Sequence, residues 1–137
     1  MALLTSANWP EVRAALDVSL TTRQLPDAVI AYDLYSGRAM RRVLEQAPTA
    51  ESMTGDSLLR CKNAAIFYTA AFLAPAIPNI TRKNIGDVDQ SFDIDWEARA
   101  ATLLAAAAAE LAEVLTPSET APAMPRMFAV ASGYRGW

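Results

Sequence analysis

The segment SLLRCKNAAIFYTAAFLA, Ser57–Ala74, decides how the rest of the chain must be arranged. Leu58, Cys61, Ala65, Tyr68 and Phe72 recur every three or four residues and form one helical stripe, with Leu59, Ile66 and Leu73 beside it. The second half is apolar nearly all round, so this helix must be covered on most sides, by its own domain or by another subunit. The wider apolar run Ala64–Pro78 is interrupted by Pro75 and a Tyr68-Thr69 pair, and it falls short of the about 20 residues that a membrane-crossing helix needs. It reads as a buried core helix ended by Pro75 and Pro78, in a protein with no membrane association.

Toward the N-terminus, Asn8, Pro10 and Glu11 predict the start of a first helix: a cap, a residue whose missing N–H costs nothing there, and a favourable charge. Its apolar side is Val12, Leu16 and Leu20. Thr21 and Thr22 break the pattern, and Leu25-Pro26-Asp27 opens a second helix with Val29, Ile30, Leu34, Ala39, Met40, Val43 and Leu44 at helical intervals. Gly37 inside it predicts close packing or a kink. Residues 47 to 56 hold Pro48, Thr49, Ser52, Thr54 and Gly55, which predicts an exposed loop that supplies caps for the central helix.

Toward the C-terminus, residues 79 to 94 form a polar stretch, with a short hairpin as one option. A fourth helix is predicted from Asp95 as cap to about Leu115, with Leu103, Leu104, Leu111, Val114 and Leu115 as its larger apolar groups. The run Ala105–Ala109 lets backbones approach closely. The expected fold is therefore all-α, a compact bundle of about four helices with a polar loop between the third and fourth. Residues 1–115 form this domain and residues 116–137 an extended C-terminal docking tail. The tail has three prolines and two glycines yet also Met124, Met127, Phe128, Val130, Tyr134 and Trp137. Such a segment gains order by docking, on its own domain or on a partner.

A length of 137 residues suits one domain, which buries roughly two thirds of the surface its unfolded chain exposes. With 53% hydrophobic and 20% charged residues the chain is globular and not disordered as a whole. A net charge of −3 argues against sequence-independent grip on nucleic acid. The charge is uneven: −2 over residues 1–37, +4 over 38–83 and −5 over 84–137. A basic middle and an acidic last third suit head-to-tail contact between copies, or are ordinary solvated faces. The single cysteine, Cys61, precludes an intramolecular disulfide and behaves as a small apolar residue in a reducing cytoplasm. No secretory signal pattern opens the sequence.

Chemistry is sparse. There is no histidine, which removes the commonest general base, the most frequent metal ligand and every histidine-activated nucleophile. The glycines stand singly, so no loop is built to cradle phosphate. Asp87-x-Asp89-x-Ser91-x-Asp93-x-Asp95 has the alternating oxygens of a calcium loop, but Phe92 and Ala98 occupy the positions that need glycine and glutamate. No catalytic residue, metal or cofactor is expected, and the aspartates read as an exposed loop running into a helix start. A small helical enzyme with Arg38, Arg41, Arg42, Arg60 and Lys62 on an anionic substrate is a rival reading that lacks a base of suitable pKa.

The first short helix, then Leu25-Pro26-Asp27-Ala28-Val29-Ile30, then an alanine-rich central helix ending Leu73-Ala74-Pro75-Ala76-Ile77-Pro78, resembles the head-to-tail connector, or adaptor, proteins of tailed bacteriophages and gene-transfer particles. Ile85-Gly86-Asp87 through Asp95-Trp96 and the following helix extend the resemblance, which covers Trp9 to Leu115. It implies a non-enzymatic α-helical adaptor made in the host cytoplasm and placed in the virion neck. There it would form a homo-oligomeric ring, commonly a dodecamer, between the portal protein and the stopper or tail-completion protein, and DNA passes through the ring without specific recognition. In that family the C-terminal segment often reaches the portal, although Gly133-Tyr134-Arg135-Gly136-Trp137 does not match a family pattern.

The partner-binding expectation therefore falls on Met127, Phe128, Tyr134, Arg135 and Trp137. The inter-subunit expectation falls on Arg38, Arg41 and Arg42 against acids of an adjacent copy, with Asp87 and Asp89 in the exposed loop; a merely solvent-facing arginine cluster is the plain alternative. A non-viral helical oligomer or regulatory protein-binding module is the alternative function.

Overall fold

The computed structural model describes residues 3–80 and 94–115. Among these the chain is all-α, with no strand.

Helix α1, Trp9–Leu16, continues directly from a 3₁₀ turn at Ser6–Asn8 and buries Trp9, Val12, Arg13 and Leu16. The expected cap at Asn8 is not made. Because the 3₁₀ turn already occupies Asn8, its Oδ1 turns back to accept the Thr5 N–H at 2.9 Å, while its amide donates to Glu11. Leu20 lies beyond the end of α1 but still reaches the core, carried there by a turn in which its N–H bonds to the Asp17 carbonyl.

The second predicted helix is three pieces: α2, Asp27–Ile30; a single π-helical turn, Asp33–Gly37; and α3, Arg38–Gln46. The chain leaves helical geometry at Tyr32, whose ψ is 141°. That break shifts the helical phase. Ile30, Ser36, Ala39 and Val43 point inward, and Leu34, expected on the buried face, is 60% exposed. Gly37 lies against the Asp33 side chain, whose carboxylate a Cβ at position 37 would strike. The connection that follows is only partly the expected exposed loop: Ala47 and Ala50 are buried, and Ala50–Ser52 forms a 3₁₀ turn.

Helix α4, Gly55–Leu73, is the central element. It starts two residues earlier than the periodicity predicts because Gly55 adopts φ +65°, a left-handed conformation that only glycine takes without cost. Cys61, Ala64, Ala65, Ile66, Tyr68, Thr69, Ala70, Ala71 and Leu73 are buried, and Thr69 satisfies its hydroxyl on the Ala65 carbonyl at 2.7 Å. Leu59, placed beside the apolar stripe by its spacing, is exposed in the polar first half. The α-helix ends at Leu73, just ahead of Pro75 as expected, but the chain does not leave helical geometry there. Pro75 sits at the start of a 3₁₀ turn, Ala74–Ala76, where its missing N–H is harmless, and residues 77–80 are helical again with Ile77 buried.

Helix α5, Trp96–Leu115, is capped by Asp95, whose Oδ1 accepts the N–H groups of Glu97 and Ala98 at 3.1 Å each. Trp96, Leu103, Ala107 and Leu111 face the core. This helix packs along α4, while α1 and α3 pack on other parts of α4 and α3 barely touches α5. Two arginines tie the bundle. Arg99 donates to the Leu16 carbonyl at the negative end of α1, and Arg60 reaches Asp56 on its own helix and Glu110 on α5.

Candidate interaction surface

Arg38 and Arg42 stand one turn apart on α3, on the side that meets Tyr68 and Phe72 of α4. The two helices run antiparallel, so the residues pair in reverse order. The Arg38 guanidinium carbon lies 4.1 Å from the centre of the Phe72 ring and that of Arg42 lies 5.4 Å from the centre of the Tyr68 ring. The rings themselves stack, with centroids 6.1 Å apart and planes 17° apart. Tyr68 is buried and its hydroxyl accepts a hydrogen bond from the Gln46 amide at 3.1 Å, whereas Phe72 is partly exposed. The result is a ladder of two rings with an arginine on each. An arginine on an aromatic face gains about 0.5–1 kcal/mol at an exposed site, and stacking leaves its N–H edges directed outward. Both arginines are exposed, and among the described residues no carboxylate is bonded to either.

Arg41 differs. Its guanidinium donates to Asp33 Oδ1 at 2.7 Å, and both side chains are exposed. The hydrogen bond with Asp33, assisted by the charge of that carboxylate, raises the arginine above its ordinary pKa and keeps it cationic. This pair links α3 to the π-helical turn, in which Leu34 is exposed and Tyr35 stacks at a centroid distance of 6.4 Å on the exposed Tyr32 that precedes the turn. Three arginines, exposed aromatic and aliphatic groups and a π turn thus share one surface. Arginine and aromatic residues are the types enriched at protein interfaces.

The other charged groups are used elsewhere. Arg60 lies eight residues before Tyr68 on α4, roughly 12 Å along the helix, and is held by Asp56 and Glu110. Arg60 is therefore engaged away from the arginines of α3. Cys61 is buried 3.6 Å from the Met53 sulfur, and burial pushes its thiol pKa up, opposite to what a nucleophile needs. No group of three acidic or cysteine side chains suited to a metal ion occurs among the described residues, and no helix of those residues is long and apolar enough to cross a membrane.

The structure brings together Arg38, Arg41 and Arg42 of the sequence-derived candidates. Asp87 and Asp89, the rest of the calcium-like pattern as far as Asp93, and the tail residues Met127, Phe128, Tyr134, Arg135 and Trp137 lie outside the described residues. Two groups escape a sequence reading. Arg13, 5% exposed, reaches from α1 to the Leu25 carbonyl at 2.8 Å and to Asp27; its signal is a position four residues after Trp9 and three before Leu16, on the apolar face. Tyr68 and Phe72 were assigned to a core stripe, and their service as platforms for Arg42 and Arg38 depends on the pairing of α3 with α4. No family model, curated protein or solved structure matches the chain.

Proposed function

We propose that the protein is a structural head-to-tail adaptor of a tailed phage or phage-like particle, a subunit of a ring that joins the portal to the stopper or tail. The reading comes from the resemblance over Trp9 to Leu115, and the single observation that carries it furthest is the exposed arginine surface on α3. A ring needs two unlike faces on each copy, and that surface belongs to a +4 stretch of a chain whose last third is −5. The outward side of α5 adds support: between Glu97 and Glu113 it exposes Ala98, Ala101, Leu104, Ala105, Ala108, Ala109 and Ala112 with no charge, which lets another helix approach closely.

In this reading Arg38, Arg41 and Arg42 face acids of the next copy, with Asp87 and Asp89 among the candidates. Met127, Phe128, Tyr134, Arg135 and Trp137 are the anchors that engage the portal. No step needs catalysis, a metal or a cofactor, and DNA passes the ring without being read. The test is a particle-assembly assay with a chain ending at Leu115. The adaptor reading with a docking tail expects this chain to fold and to fail to enter particles. Normal incorporation would remove the tail from the account, and a chain that enters no particle even at full length would leave the alternative, a free helical binding module.

A further inference from the structure

Among the described residues, Arg38 and Arg42 are arginines placed by an aromatic ring, with neither a carboxylate nor a carbonyl bonded to them. Arg41 has Asp33, Arg60 has Asp56 and Glu110, Arg13 has Asp27 and Arg99 has the Leu16 carbonyl. Arg38 and Arg42 have rings behind them and, among the described residues, no acid bonded to them. Long basic side chains ordinarily lose rotamer freedom when they bind. Here the rings have already restricted them, and the two guanidinium groups, about 6 Å apart at the root as residues four apart on a helix are, present paired donors.

We propose that this ladder is a preorganised carboxylate-binding surface whose occupant is a second copy of the chain, presenting the acidic start of its α5. The assignment rests on the adaptor reading only in taking copies to meet through unlike faces. Charge complementarity selects the occupant. Asp95 and Glu97 are both exposed at the start of α5, in the −5 third of the chain. α3 and α5 pack on α4 with scarcely any contact between them, so one copy offers both faces at once and the contact propagates head to tail. A nucleic acid is the poorer fit, because two arginines on a chain of net charge −3 neutralise too few phosphates.

The experiment is sedimentation velocity of the full-length protein over a range of concentrations, from about 50 mM to about 500 mM salt. The variants are Arg38→Glu/Arg42→Glu, Glu97→Arg and the three changes combined. The wild type should self-associate and dissociate as salt rises, the arginine pair and Glu97→Arg should each weaken association, the pair by about tenfold or more, and the combination should recover most of it. Where the glutamates disturb folding, as checked by circular dichroism, Arg38→Lys/Arg42→Lys serves instead. It keeps the charge, loses the planar stacked donors and should weaken association several-fold.

A wild-type monomer throughout, wild-type association in the arginine variants, or no recovery in the combined variant overturns the assignment. So does binding of a labelled oligonucleotide that depends on Arg38 and Arg42 while self-association does not. Particle incorporation is scored separately. Ladder-dependent self-association in a chain that never enters particles would leave the ladder standing and remove the adaptor reading.

Discussion

Arg13 ties α1 to the start of α2 through polar contacts inside the N-terminal packing. A charged group is tolerated at 5% exposure only with its donors engaged, and here Nε holds the Leu25 carbonyl while the terminal nitrogen meets Asp27. Arg13→Ala leaves that carbonyl unpaired and empties part of the contact between α1 and the start of α2, which should lower stability by about 2–4 kcal/mol in a denaturant melt. Arg13→Lys should recover little, since one ammonium cannot take the place of a fork. Cys61 gives a pH test. Its folded pKa is raised by burial above the unfolded value of about 8.5, so the unfolded chain loses its proton first. Stability attributable to this thiol is therefore complete below that value and declines as pH rises beyond it. Thermal melts of Cys61→Ala and wild type compared across this range should show the wild type losing stability faster at high pH, and the folded wild type should react slowly with thiol reagents at neutral pH.

At the scale of elements, helices with local signals were legible and those whose limits depend on tertiary contacts were not. α5 begins where Asp95 and the 3.6-residue spacing place it, because cap and stripe are both local. Asp95→Ala should remove two N–H bonds and cost about 1 kcal/mol. α4 was legible as an element, but its start depends on Gly55, where φ +65° disfavours any side chain; Gly55→Ala should cost about 1 kcal/mol or somewhat more.

The segment from Asp27 to Gln46 was read as one helix because Ile30, Leu34 and Val43 keep a helical interval. The break at Tyr32 and the π turn override that interval, and Leu34 is delivered to the surface. Gly37→Ala probes this arrangement: it should displace Asp33 from Arg41 while changing stability by less than about 1 kcal/mol, since an exposed pair contributes little and alanine favours the helix. The three arginines were legible as a cluster. Their division into two on rings and one on a carboxylate was not, because it follows from the antiparallel register of α3 and α4.

At the scale of the whole molecule, a central helix apolar nearly all round explains why the others surround it, and that much follows from composition along α4. The absence of histidine and of a glycine-rich loop directs attention from chemistry to surfaces, and the described surface offers two features suited to contact, the arginine ladder and the uncharged outer side of α5. The adaptor account is tested most directly by quantitative mass spectrometry across a density gradient of the source lysate. The account predicts that this chain travels with DNA-filled particles at a copy number close to that of the portal protein. A profile confined to the soluble fractions, with none in the particle band, would contradict it.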